Sequence, residues 1–144
     1  MLKLNKCSYS KGVSISDINV TPESVKKKLL NLNPSKAQGP DGIPPKILKE
    51  LSEELSWPLC TLFNLSLETG VVPDDWKTAE VVALFKKGTK SDPGNYRPVS
   101  LTCITIKILE SLIRDEIVTH MTANQLYSKC QHGFRRKISY YTAT

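Results

Sequence analysis

Between Ala37 and Pro45 the chain reads AQGPDGIPP, which places two glycines and three prolines around Asp41. No helix or strand can run through such a stretch. Proline fixes φ and lacks a backbone N–H, and glycine is costly to order in regular structure, so these residues predict a tightly shaped loop. Everything else must be arranged on either side of it. Upstream, Thr21-Pro22-Glu23 supplies an N-cap, a helix-compatible proline and an early acid, after which Val25, Leu29 and Leu32 recur at helical spacing. Asn33-Pro34 ends that helix. Downstream, Pro45 begins a helix whose Ile47, Leu48, Leu51 and Leu55 form an apolar stripe opposite Lys49, Glu50, Glu53 and Glu54. Pro58 either starts a second helical segment or marks a bend, and Leu59, Leu62, Phe63, Ser66 and Leu67 then keep a helical face until Gly70.

Val71 to Trp76 reads as a connection, with Trp76 as a packing anchor. The alternating Ala79, Val81, Ala83 and Phe85 within Lys77–Lys87 predict a strand that is substantially apolar on both faces. Gly88 and Asp92-Pro93-Gly94-Asn95 supply turn chemistry before Tyr96-Arg97-Pro98-Val99-Ser100-Leu101, so the two runs predict a ribbon with a basic connection. Pro98 restricts the second run to an edge or irregular strand. The clearest helix starts near Thr102 or Cys103, with Ile108, Leu109, Leu112, Ile113, Glu116 and Ile117 three or four residues apart along one side. Periodicity fades after Thr119. The expected fold class is therefore α+β: helices packed with a short antiparallel β-ribbon, without enough strand sequence for a doubly wound sheet. Residues 1–20 form an N-terminal extension, 21–75 a helical region and 76–144 a basic region.

Composition narrows the class further. With 144 residues and 40% of them hydrophobic, the chain is too apolar to be wholly disordered and holds one modest core. No run approaches the ~18 apolar residues of a membrane helix, and the N-terminal MLKLNKCSYSKGVS lacks the apolar centre of a signal peptide. A cytoplasmic or nuclear location, away from membranes, is the expectation. Cys7, Cys60, Cys103 and Cys130 form no CxxC pair and no zinc spacing with His120 or His132, so free thiols are expected. Residues 1–76 carry nine Lys against nine acids, whereas residues 77–144 carry eleven Lys and Arg against five acids. The whole formal charge of +6 lies downstream. Such asymmetry suits a surface that faces a polyanion, and a solvated lysine-rich surface gives the same count.

The basic ribbon can direct Lys86, Lys87, Lys90 and Arg97 at nucleic-acid or nucleotide phosphate, or serve as a solvated hairpin whose charges keep its edge from aggregating. Tyr96 either stacks on a base or anchors the ribbon. Arg135-Arg136-Lys137 is a second basic cluster, and equally a solvated tail. Asp41, flanked by Gly39 and Gly42, shapes its loop through a side-chain-to-backbone bond, and Lys36 beside it does not make a P-loop because GxxxxGK[ST] is absent. Asp74-Asp75 and Asp115-Glu116 lack a third placed ligand, and Cys130 with His132 specifies no closed shell. No residue is assigned as catalytic or metal-ligating.

Taken in order, KAQGPDGIP from Lys36, Trp76-Lys77, LFKKG from Leu84, NYRPVSL from Asn95 and QHGFR from Gln131 resemble the N-terminal reverse-transcriptase region of non-LTR, jockey-like retrotransposons. The resemblance runs from about Val20 to Thr144. It implies a right-hand RNA-directed DNA polymerase, in which the region 76–144 belongs to the fingers and early palm. It assigns Lys86, Lys87 and Arg97 to nucleotide or template engagement and Gln131, Phe134 and Arg135 to a later fingers motif. After Arg135 the pattern departs: Lys137 stands where glycine is usual and Tyr140 where cysteine is usual. The family's catalytic-aspartate segment and YxDD-like segment are not found, so the divalent metal, magnesium, implied for the complete enzyme is not expected here, and neither is any other cofactor. The resemblance thus implies a truncated polymerase region that is inactive alone, with weak affinity for RNA template, RNA–DNA duplex or DNA, and with the remainder of a polymerase as a further partner. Two alternatives stand beside it: a helical protein-interaction module using Leu51, Leu55, Leu59 and Leu62, and a degenerate retroelement product with no selected function.

Overall fold

The computed structural model describes residues 18–127, which fall in two compact units, Ile18–Arg114 and the segment from Asp115 to Tyr127. The first unit is α+β: helices packed with a short antiparallel two-stranded ribbon. Its first helix, α1 (Pro22–Leu30), starts at a reciprocal cap in which the Thr21 hydroxyl accepts from the Ser24 N–H and the Ser24 hydroxyl accepts from the Thr21 N–H. Val25 and Leu29 of α1 are fully buried. Just ahead of the helix, Val20 is already in the core. The Asn64 side chain accepts from the Val20 N–H (3.0 Å) and donates to its carbonyl (2.8 Å), filling the bonds a neighbouring strand would otherwise make.

The chain leaves the proline-rich loop into α2 (Pro45–Glu50) and, after a break at Leu51, into α3 (Ser52–Thr69). Pro58 neither starts nor ends a helix; it lies inside α3. Its missing N–H strands the Glu54 carbonyl, and both residues are on the exposed side, where water can satisfy that carbonyl. The break at Leu51 shifts the phase of the apolar stripe. Leu48 is buried, Leu55 is half-buried, and Ile47 and Leu51 are exposed, contrary to the expectation that all four share one inward face.

The inward face of α3 keeps most of the expected positions, with Phe63 and Ser66 buried and Leu59 and Leu67 half-buried against the core, but it turns toward the small residues Ser52, Ser56 and Cys60 and leaves Leu62 exposed, as it does Leu65. The physical reason is the partner, because α1 presents Val25 and Leu29 and the close approach of two helices favours small side chains on one of them. Phe63, fully buried, is the large residue at the centre of that face. Trp76, from the one-turn helix α4 (Asp74–Lys77), meets the Phe63 ring edge-on at 5.7 Å.

Strands β1 (Ala79–Phe85) and β2 (Tyr96–Thr102) then pair antiparallel, with Val82 opposite Val99 and Phe85 opposite Tyr96. The Lys86 N–H donates to the Asn95 carbonyl at 2.8 Å, so by antiparallel alternation Leu84–Arg97, Val82–Val99 and Glu80–Leu101 are the hydrogen-bonded pairs. Pro98 consequently occupies an outward position of β2, where its absent N–H breaks no bond of the ladder. The last helix, α5 (Ile104–Ala123), begins buried, with Ile104, Thr105, Ile106, Ile108, Leu109 and Leu112 in the core. Its inward face ends sooner than the sequence predicts: Glu116 and Ile117 are exposed. No helix of the described residues is long and apolar enough to cross a membrane.

Candidate nucleic-acid interface

The ribbon and its connection gather four of the predicted contact residues. Lys86 and Arg97 share one ribbon face as diagonal neighbours, because Lys86 lies across from Asn95 and Arg97 across from Leu84. Such diagonal positions are about 7–8 Å apart, close to the spacing of successive phosphates on a strand. Lys87 and Lys90 follow in the connection, and all four side chains are exposed. Among the described residues none of the four has a carboxylate partner. The one acid in the connection, Asp92, is turned onto the backbone, where it accepts from the Gly94 N–H at 2.9 Å.

The connection is braced from within. Gly88 has φ +91, and a side chain there would meet the Asn95 amide at 2.6 Å. That space lets Asn95 reach across the loop and donate to the Thr89 carbonyl at 2.9 Å. Tyr96 is half-buried; its ring packs edge-on against Phe85 at 5.4 Å and its hydroxyl donates to the Lys90 carbonyl at 2.9 Å. The Lys90 ammonium lies 6.0 Å from the centre of the Phe85 ring. Tyr96 thus positions the basic connection, and both its ring and its hydroxyl are occupied in doing so. Sequence reasoning missed Phe85 and Asn95 as parts of this assembly. The Asn95 signal was legible in principle, since an amide following Asp-Pro-Gly is well placed to bridge its own turn.

The proline-rich loop stands apart from these charges. Asp41 accepts from the Ile43 N–H at 3.3 Å, Gly42 takes φ +67, and Gly39 lies directly on the backbone of Thr102 and Cys103. Gly39 therefore seats the loop against the junction of β2 and α5, and Asp41 and Gly42 shape the turn beside it. Gln131, Phe134, Arg135 and Arg136 lie outside the described residues, as do Cys7, Cys130 and His132. Cys60 and Cys103 are free and buried. Burial pushes the Cys60 thiol above its usual pKa, the Glu23 charge adds to the rise, and a hydrogen bond from Asn64 opposes it.

The described residues do not fit a metal: none of them forms a group of three or more His, Cys, Asp or Glu able to hold one. Asp74 is instead bonded to Lys77 at 2.8 Å, and that bond and charge hold its carboxyl below the usual range.

No family model matches the chain. It is 34% identical over 117 residues to the RNA-directed DNA polymerase from mobile element jockey of Drosophila melanogaster, a match covering 81% of this chain and 13% of that protein. The counterpart from Drosophila funebris matches to the same extent. A probable RNA-directed DNA polymerase from transposon X-element of Drosophila melanogaster is 30% identical over 123 residues, covering 83% of this chain and 14% of that protein. The chain thus spans about one seventh of the curated relatives it matches. Over roughly four fifths of its own length, it is homologous to the RNA-directed DNA polymerases of jockey-like non-LTR retrotransposons.

Proposed function

We propose that this chain carries the fingers and early-palm portion of a non-LTR reverse transcriptase, in which the β1–β2 ribbon engages the phosphates of an RNA template, an RNA–DNA duplex or DNA. The observation that carries this reading is the braced basic connection, with Lys86, Lys87, Lys90 and Arg97 exposed and without carboxylate partners among the described residues. Lysines act there as mobile point charges and Arg97 as a planar fork suited to a phosphate. Gln131, Phe134, Arg135 and Arg136 complete the same engagement in this reading. Chain extension requires metal-held carboxylates that align a primer hydroxyl with the incoming phosphate, and the described residues offer no such group. In this reading the chain by itself is a weak, salt-sensitive binder, and chain extension with its magnesium belongs to the complete polymerase.

Salt-dependent binding to single-stranded RNA, primer–template duplex and length-matched DNA tests this reading. If about four phosphates are contacted, the logarithm of the affinity for a single strand falls with log salt at a slope of roughly −3, and Arg97→Glu lowers that slope by at least ~0.7. Affinity no greater than that of an uncharged control polymer at low salt refutes it, and so does metal-dependent primer extension by this chain alone.

A second reading is favoured by Leu51, Leu62, Leu65 and Trp57, which α3 and its leading break leave exposed on a chain of this size. Leu55 and Leu59, which the sequence assigns to the same module, are instead half-buried against the core, so Leu51, Leu62 and Leu65 carry the surface offered to the remainder of a polymerase in this reading. Leu62→Ser and Leu65→Ser should then abolish complementation by the remaining polypeptide while leaving RNA affinity unchanged.

A further inference from the structure

The two edges of the ribbon are not equivalent. On β2 the outward positions include Pro98, which has no N–H to offer another strand. On β1 the outward positions are Ala79, Val81, Ala83 and Phe85, with no proline, and among the described residues no strand lies beside them. Every residue of β1 is exposed, including Val81, Val82, Leu84 and Phe85. A seven-residue apolar strand with a free edge has unsatisfied backbone groups to pair and large side chains to cover.

We propose that β1 pairs with β1 of a second copy of this chain, antiparallel and about a two-fold axis at Ala83, to give a continuous four-stranded sheet. Charge complementarity selects this partner and this register. β1 contains a single charge, Glu80, and the first cation after it is Lys86. Both alternate to the same face as Val82 and Leu84. In an antiparallel self-pairing centred on Ala83, Glu80 of one copy falls opposite Lys86 of the other, and the two-fold repeats the pair. Centring on Val82 places Glu80 opposite Leu84, centring on Leu84 places it opposite Gly88, and centring on Val81 places it opposite Val82. Of these four registers, the one centred on Ala83 alone matches the acid with a base.

The hydrogen bonding agrees with that choice. Ala83, Val81 and Phe85 point outward, so Ala83–Ala83 and Val81–Phe85 become the hydrogen-bonded pairs of the new ladder. Glu80–Lys86 and Val82–Leu84 become the non-hydrogen-bonded pairs, in which facing side chains are closest. Two salt links thus flank two aliphatic pairs on one face of the joined sheet. The contact is isologous and closes on itself, so it ends at a dimer. A strand-to-strand contact of this length is smaller than a standard protein interface, which predicts a dimer that dissociates on dilution.

Sedimentation equilibrium of the full chain across a range of concentrations tests the proposal. The parent chain should show a monomer–dimer equilibrium with no larger species. Glu80→Lys and Lys86→Glu should each weaken association roughly tenfold or more, because both symmetric pairs become repulsive. The double exchange, Glu80→Lys with Lys86→Glu, should restore it to within about threefold of the parent. Ala83→Pro, which removes an outward N–H without touching the bonds to β2, should leave a folded monomer by circular dichroism. A chain that stays monomeric at every concentration, single reversals without effect, or a double exchange that dimerises no better than either single variant overturns the proposal. Because association is read without nucleic acid, its failure is distinct from failure of the phosphate-binding reading.

Discussion

A methyl group added at Gly39 would stand 2.5 Å from the Cys103 Cα, 2.8 Å from the Cys103 nitrogen and 2.8 Å from the Thr102 carbonyl oxygen. Carbon atoms rest at about 3.5–4.0 Å, so the first of these contacts lacks roughly 1 Å of clearance. All three atoms are backbone, and no rotamer change can move them. Cys103 is buried between the end of β2 and the start of α5, so the loop has to move instead. That motion strains the Gly42 N–H bond to the Gly39 carbonyl, 3.0 Å long, and the Asp41 bond to Ile43. Overpacking at a rigid site costs about 1–3 kcal/mol, and a backbone-on-backbone clash belongs at the upper end. Gly39→Ala should therefore lose about 2–3 kcal/mol in urea unfolding followed by circular dichroism, with an unchanged m-value. Gly42→Ala provides the comparison: its φ of +67 is left-handed but the space around it is open, so it should lose about 1 kcal/mol. A Gly39→Ala variant within ~0.5 kcal/mol of the parent, or one less damaged than Gly42→Ala, refutes the claim that close approach fixes this residue.

Phe63→Ala should cost about 3–5 kcal/mol, since Phe63 is fully buried against Trp76; in a Trp57→Phe background, Trp76 fluorescence should shift to the red in the native state. Asn64→Ala removes both side-chain bonds to Val20; the carbonyl keeps the Cys60 thiol as a donor but the N–H is left unpaired, so the change should cost about 1–3 kcal/mol and speed hydrogen exchange at the Val20 amide well beyond that of the α3 core. Cys60 should make stability fall at alkaline pH. Its raised native pKa means the native state keeps a proton that the unfolded chain loses, so this contribution is whole below the unfolded value of ~8.5 and is lost as pH rises through the native value. Cys60→Ala should flatten that decline in unfolding free energy between pH 7 and pH 10.

The local devices of this fold were the legible ones. The Thr21 cap, the helix through Val25 and Leu29, the strand alternation from Ala79 and the placement of Pro98 on an edge all follow from one residue type at one spacing. Less legible was anything that depended on a packing partner. In α3 the spacing groups Leu62 with Leu59, Phe63, Ser66 and Leu67, and only the packing of α1 on α3 turns that face toward Ser52, Ser56 and Cys60 and leaves Leu62 outside. Pro58 could not be placed within a helix because its tolerance depends on the Glu54 carbonyl facing solvent. In the interface, the clustering of Lys86, Lys87, Lys90 and Arg97 was readable from the turn residues between them. The bracing was not, because Phe85, Tyr96 and Lys90 meet only once the strand register is set.

The serine face of α3 fixes how this chain tolerates drift in its own sequence. Where two helices approach over small side chains, there is no spare volume, so enlarging Ser56 or Cys60 to leucine separates α3 from α1 along its length. The exposed leucines carry the opposite latitude, and Leu62 or Leu65 can become polar with little loss of folding energy. A hydropathy profile taken alone inverts this ranking. In this helix Ser56 and Cys60 forbid enlargement as firmly as Phe63 forbids truncation, and the exposed Leu62 and Leu65 are the positions free to vary.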